Sequence, residues 1–449
     1  MNGNSLVKGK PWRLILMFSL PIFITLLFQQ LYNTVDTIVV GNFAGEKALS
    51  AVGTTGSLTF MLLAIASGFS SGAGVQVAQY FGAGDLKKVR ESSATSILLL
   101  LILGIGTTIF GLLISRPAII GLMAVPESFS DMAISYFNIY CIGLIFQFGY
   151  NIIAAILRSI GDSKASMYFL LIAAIANIFL DLLLVGGFKM GPSGAAIATN
   201  ISQFGAFLAA LIYMYRRYPV FHFKKEDWTL NREYARQCLV LGLPIVLQLM
   251  IASVGIIFIQ RAVNGYGQAM TASFTVASRV ETYVQIPLNS FQTAMATYVA
   301  QNVGAKRMDR VHTGTKQVVI LSLIVTSIIA ALTVLFTPQI IKLFGISVEA
   351  TAYCTQHIRI TAIALVLQAA YIPVFGVFQG TGDGFAVMCT AIIALAIRVF
   401  CTYTLCYIPA MDYRIIWWNM IFGFAGGFAI TWFHYIRGSW QNKLVLVKV

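Results

Sequence analysis

Charge is what this sequence has least of. Only 10% of its 449 residues are Asp, Glu, Lys or Arg, against about 25% in an average soluble domain. Hydrophobic residues make up 58%. Too little polar surface is present to cover a water-soluble globule of this length. Cysteine is also sparse. The six, Cys141, Cys238, Cys354, Cys389, Cys401 and Cys406, are scattered through apolar stretches without CxxC or metal-ligand spacing. That pattern excludes a disulfide framework and a thiolate metal site, and predicts free thiols packed as small apolar residues. The four histidines, His222, His312, His357 and His434, are dispersed, and no nucleophile motif accompanies them. The chain is therefore not expected to be an enzyme, to hold a metal cluster or to need a cofactor.

What the chain does have is long apolar runs. Ser92 to Ser115 and Gln317 to Ile341 carry no charge at all, and roughly 20 apolar residues suffice to cross the hydrocarbon of a bilayer. Hydropathy and charged breaks predict an all-α polytopic membrane protein. Its twelve transmembrane helices fall near 13–40, 50–75, 91–115, 132–157, 164–187, 192–216, 238–262, 270–297, 315–337, 354–379, 384–410 and 413–435. The apolar run after Lys8, Lys10 and Arg13 is too long for a signal-peptide core and reads as a retained first helix. With the N-terminus inside, basic clusters such as Lys87, Lys88 and Arg90, Arg216 to Arg236, and Lys306 to Arg310 fall on inner segments. The outer segments hold Lys47, Arg116, Lys189, Lys342 and Arg414, with Arg261 and Arg359 near outer helix ends. This bias follows the positive-inside rule, puts both termini in the cytoplasm of a cell membrane protein, and accounts for the net charge of +14 without a nucleic-acid partner.

The chain repeats itself. Ser-Leu-Pro at 19–21 matches Gly-Leu-Pro at 242–244, VAQYFGA at 77–83 matches VAQNVGA at 299–305, and IGD at 160–162 matches TGD at 381–383. The implied organisation is an N-terminal six-helix bundle (1–217), a basic cytoplasmic linker (218–237), a C-terminal six-helix bundle (238–437) and a cytoplasmic tail (438–449). Six is even, so the halves enter the membrane with one orientation and are related by a pseudo-two-fold axis along its normal. Two such halves leave a cleft whose rocking gives alternating access.

Three carboxylates fall well inside predicted spans: Asp36, Asp181 and Glu281. Each costs about 2.5–3.5 kcal/mol at a helix centre, and such residues face a cavity or a partner. Asp36 sits among Gln29, Gln30, Asn33 and Thr34. Asn177 and Asp181 are four apart and share a helix face. The plainer readings are interhelical hydrogen bonding by Asn177 and a place for Asp181 at the outer interface. Glu281 has Arg279 two residues away, pointing elsewhere, with Arg261 and Arg398 as candidate partners; a structural ion pair is the competing reading. Asp36 and Asp181 have no acidic repeat counterparts. The first falls on Ile259, beside Gln260, and the second within 401–407. Ion handling is thus expected in the first half.

These residues, in this order, resemble the multidrug and toxic compound extrusion (MATE) transporters of the prokaryotic branch. The resemblance covers essentially the whole chain and rests on TVDTIVVG at 34–41, the two VAQxxGA segments and LRSIGDSK at 157–164. It implies two bundles facing each other in a V around a central cavity, and efflux of drug-like compounds in exchange for Na+ or H+. It also implies a cation site of Asp36, Asn151, Asn177, Asp181 and Thr199, with Tyr136 at a polar position of the same pocket. Some relatives place a glutamate in the seventh span; here that span offers only Gln248 and Gln260. Carboxylates, amide carbonyls and a hydroxyl form the oxygen shell a hard cation takes. Two carboxylates in a dry pocket also favour keeping one proton between them, so the residues alone do not separate Na+ from H+. Phe28, Met61, Tyr283, Met295 and Tyr371 are candidate linings of a drug cavity, through aromatic faces and adaptable thioethers, with ordinary packing as the alternative. A monomer in the lipid bilayer handling small molecules is expected. A competing reading is a flippase for lipid-linked saccharides or cell-wall precursors, whose anionic cargo calls for several cavity arginines; Arg279 and Arg398 keep it open.

Overall fold

The computed structural model describes residues 6–123, 125–408 and 411–442. Part of the expected tail and the end of the 384–410 span lie outside them. The described chain is helical and contains no strand. The first half runs α1 (Pro11–Ala44), α2 (Glu46–Gly82), α3 (Leu86–Arg116), α4 (Glu127–Ile142), α5 (Leu144–Ser159), α6 (Ser163–Asp181) and α7 (Gly191–Arg217). The second runs α8 (Arg232–Asn264), α9 (Gln268–Gly304), α10 (Met308–Leu335), α11 (Thr337–Phe344), α12 (Val348–Ala369), α13 (Ile372–Thr381), α14 (Gly384–Thr404) and α15 (Ile415–Arg437).

The repeat is written into the backbone. Gly45 (φ 85°) and Gly267 (φ 95°) precede α2 and α9 with positive φ, and Gly161 (φ 91°) and Gly382 (φ 103°) precede α6 and α14. Glycine takes that conformation without the Cβ penalty other residues meet. Asp162 then caps α6 by accepting from the Ala165 amide at 3.0 Å, which satisfies one of the orphan donors of a helix start. Asp383 stands at the same place before α14.

Ten helical stretches are long and apolar enough to cross a membrane, and an eleventh is the pair α4–α5, bent by 43°. The expected single helix at 132–157 is thus two, broken at Gly143. The expected span at 354–379 is likewise α12 and α13, broken at Ala370 and Tyr371. The span expected at 270–297 lies in α9, an unbroken helix of 37 residues. Gln268, Arg279, Glu281, Gln285, Asn289 and Gln292 make it less apolar than the others.

The described residues form two compact units. One contains Ile24–Val246, the other Leu6–Phe23 and the chain from Leu247 onward. The boundaries fall inside α1 and α8, just beyond Pro21 and Pro244. In the first unit α5 is the centre. It packs on α2, α3 and α7, and its Leu144, Phe148, Ile152, Ile153, Ile156 and Leu157 are buried. The segment expected as a linker is built onto this unit. It makes two short 3-10 turns, Pro219–Phe221 and Lys225–Asp227. Buried Asp227 pairs with Arg90 at 2.9 Å, and from Arg232 the chain is already α8. In the second unit α13 takes the central place against α9. A methyl group on Gly376 would sit 2.9 Å from the Met295 Cβ, and one on Gly380 2.6 Å from the Ala296 carbonyl oxygen. These glycines set the distance between the two helices.

Candidate functional site

Four helices of the first unit carry the residues expected at the cation site, besides α1 with Asp36. Tyr136 lies on α4, Asn151 on α5, Asn177 and Asp181 on α6, and Thr199 on α7. Asp181 is fully buried and Asn177 is 1% exposed, while Asp36 is partly buried. The Asp36 and Asp181 carboxyl groups lie within hydrogen-bonding reach of each other. Asp181 ends α6, and the chain continues as a π-helical turn, Leu182–Gly187. Wide turns of this kind shift a side chain out of regular helical register.

The Asn177 amide Nδ2 donates to Thr199 Oγ1 at 3.5 Å. Its carbonyl Oδ1, both Asp181 carboxylate oxygens and Asp36 Oδ1 are buried without a hydrogen-bond donor. Among the described residues no lysine, arginine or histidine forms an ion pair with either acid. Unpartnered buried oxygens are rare, because each loses its water without replacement. Here several belong to one group of side chains, and all are acceptors. No group of three or more His, Cys, Asp or Glu with metal-ligand geometry occurs among the described residues.

Tyr136 is buried, stacks on Tyr140 with centroids 6.2 Å apart, and lies within electrostatic range of both acids. Asn151 is not tied to the acids by a hydrogen bond among the described residues; its Nδ2 donates to the Gln147 carbonyl at 2.8 Å. Tyr32, Tyr140 and Gln147 belong to the same polar cluster and were not singled out in the sequence. Tyr32 lies one turn before Asp36, in electrostatic range of both acids and hydrogen-bonded to Gln29. Tyr140 Oη donates to Gln147 Oε1 at 3.2 Å. The available signal was spacing, since Tyr32 is four residues from Asp36 and Tyr140 four from Tyr136. Gln30 and Asn33 contribute main-chain acceptors to Thr34 and Thr37; Asn33 is exposed.

In the second unit, Gln285 Nε2 donates to Glu281 Oε1 at 2.7 Å. The cation in electrostatic range of Glu281 is Arg398. Arg279 and Arg261 are exposed. Gln248, Glu281, Arg398 and Tyr371 line a cavity of about 230 Å³. Gln260 lies farther along α8, donating to Asn264 Oδ1 at 2.8 Å. Of the aromatic and methionine candidates, Tyr371 lines that cavity, Met295 is fully buried in helix packing, and Phe28, Met61 and Tyr283 are half-buried.

Comparison with known proteins bears on this arrangement. The probable multidrug resistance protein YoeA of Bacillus subtilis is 26% identical, over 98% of this chain and 96% of its own length. The probable multidrug resistance protein YpnP of the same organism is 30% identical over 69% of each chain. The solved structure of a MOP superfamily transporter from Pyrococcus furiosus superposes with a TM-score of 0.92, covering 98% of this chain and 99% of that one at 24% identity, which shows the same fold. The MatE family model matches residues 21–183 and again 244–404. Those two segments are the halves of the internal repeat and hold the greater part of both units, so the chain belongs to the MatE family and is a MATE transporter.

Proposed function

We propose that the protein is a secondary active exporter of amphipathic, cationic organic compounds, driven by inward return of Na+ or H+ through alternating access. The observation that carries the reading is the Asp36–Asp181 pair. Two carboxylates in reach of each other, one fully and one partly buried and without a basic partner among the described residues, repel unless a proton or a cation lies between them. Neutralising them removes that repulsion and changes which packing of α1 against α6 is favoured. A cation that binds one conformation more tightly than the other drives the exchange; equal affinity for both would drive nothing. The names of the relatives, as multidrug resistance proteins, support drug-like cargo. The lipid-linked saccharide reading has less support. It called for several arginines converging on one pocket, and Arg279 does not line the cavity that Arg398 lines.

The test is dye efflux by the purified protein in proteoliposomes, with a sodium gradient and a proton gradient imposed separately. One gradient is expected to drive efflux, and both Asp36→Asn and Asp181→Asn are expected to reduce the driven rate to background while the proteins remain folded. Wild-type driven efflux by Asp36→Asn would overturn the assignment.

A further inference from the structure

We propose that the cavity of the second unit is a carboxylate-recognition site anchored by Arg398, and that it takes amphipathic zwitterions bearing an ammonium group as well as a carboxylate. The substrate role rests on the exporter reading above; the binding chemistry does not.

The repeat makes the case. Asp162 and Asp383 occupy one place in the two halves. Counting on from them, Asn177 corresponds to Arg398 and Asp181 to Thr402, and Asp36 falls on Ile259. Where the first unit gathers acids and an amide, the second places a guanidinium and no acid at the matching positions. The electrostatic preference is reversed.

The guanidinium is also mounted. Arg398 Nε donates to Asn419 Oδ1 at 3.0 Å, and Asn419 is fully buried. The guanidinium carbon lies 5.5 Å from the centre of the Phe424 ring. Gly423 leaves room for the stem; a methyl there would overlap the Arg398 side chain. One edge of the planar group is thus fixed. Its terminal amino groups make no hydrogen bond or ion pair among the described residues, while the residue lines two adjoining cavities of about 230 and 180 Å³. A held guanidinium edge presents paired N–H donors whose spacing matches a carboxylate.

Glu281 lines both cavities too, and no direct ion pair joins it to Arg398. Opposite charges that face one cavity without cancelling suit a molecule carrying both. A simple cation leaves Arg398 unmatched, and a simple anion meets Glu281. Tyr371, Phe375, Ile256 and Leu395 supply an apolar wall for the body of such a molecule.

A pair of fluorescent probes tests this. Nε-dansyl-lysine and dansylcadaverine share the same body and amine and differ by one carboxylate. Binding of each to the full chain in nanodiscs is read by fluorescence titration, without any ion gradient. Wild-type protein is expected to bind dansyl-lysine about 10-fold or more tightly than dansylcadaverine. Arg398→Gln is expected to weaken dansyl-lysine about 10- to 100-fold, with dansylcadaverine within about twofold, so the preference disappears. Glu281→Gln is expected to weaken both. Should Arg398→Gln fail to fold, Arg398→Lys keeps the charge and removes the fork, and the preference should fall at least threefold. Equal binding of the two probes by wild type, or a preference that survives these Arg398 substitutions, would overturn the proposal. Because no gradient is used, failure of ion-driven efflux leaves the preference measurable and separately decided.

Discussion

Asp162 and Asp383 show how one position in a repeat is used twice with different chemistry. Asp162 Oδ2 accepts from Tyr218 Oη at 2.7 Å and Tyr213 Oη at 3.0 Å. At the matching positions of the second half, Asp383 Oδ2 meets His434 Nε2 at 2.8 Å, and His434 Nδ1 lies 3.3 Å from Ser439 Oγ. Both clusters tie the start of one helix to the end of another. Removing one of two hydroxyl donors to a buried carboxylate loses a hydrogen bond to a charged group, about 1.5–3 kcal/mol. Tyr218→Phe is therefore expected to destabilise the purified protein by about that amount, read as a lower midpoint in a thermal-unfolding scan, with Tyr213→Phe milder because its hydrogen bond is longer. Burial and the Asp162 carboxylate push the Tyr218 hydroxyl well above its ordinary range. A raised folded value means the contribution is fully present below the ordinary tyrosine pKa of about 10 and is lost only as pH rises beyond it. The Tyr218→Phe deficit should accordingly be the same at pH 6 and pH 8.

At the scale of elements, the break between α4 and α5 is a feature the sequence did not announce. A single span is the natural reading of 132–157, because membrane helices tolerate glycine. The break has a tertiary cause. The Gly143 amide bonds the Tyr140 carbonyl at 3.1 Å, one residue short of the regular partner, and the Ile139 carbonyl so released accepts from Asn200 Nδ2 at 2.6 Å. Asn200 of α7 occupies the space a Gly143 side chain would need. Gly143→Ala is expected to cost about 1–3 kcal/mol through overpacking, and Asn200→Ala in the same chain should recover part of the loss; unfolding midpoints of the single and double variants check this. The candidate site was legible where it rested on charge and on helical spacing. Asp36 was visible as an acid in an apolar run, and Asn177 and Asp181 as a pair on one face. Tyr32, Tyr140 and Gln147 were not, since they carry no charge and only packing shows which face they share. Arg398 was visible as a candidate partner of Glu281, but its anchor Asn419 and the room left by Gly423 belong to a neighbouring helix that no local pattern identifies.

For the whole molecule, the decisive element is α9. Composition alone leaves it outside the set of apolar spans, yet the repeat matches it to α2, whose length of 37 residues it shares. If α9 crosses the membrane, each half crosses six times and the halves are parallel; if it does not, every later helix is reversed and the positive-inside distribution of the second half fails. Four exposed positions at matching places decide between these. Lys87→Cys and Asp309→Cys follow α2 and α9, and Glu46→Cys and Gln268→Cys precede or open them. The six native cysteines are buried or half-buried and give a low background. With a membrane-impermeant maleimide, Glu46→Cys and Gln268→Cys are expected to label in intact cells, and Lys87→Cys and Asp309→Cys only in inverted vesicles. Labelling of Asp309→Cys alongside Gln268→Cys in intact cells would mean that α9 does not cross. It would also remove the parallel repeat on which the comparison of Asn177 with Arg398 depends, which ties the chemistry of a single arginine to the topology of the entire chain.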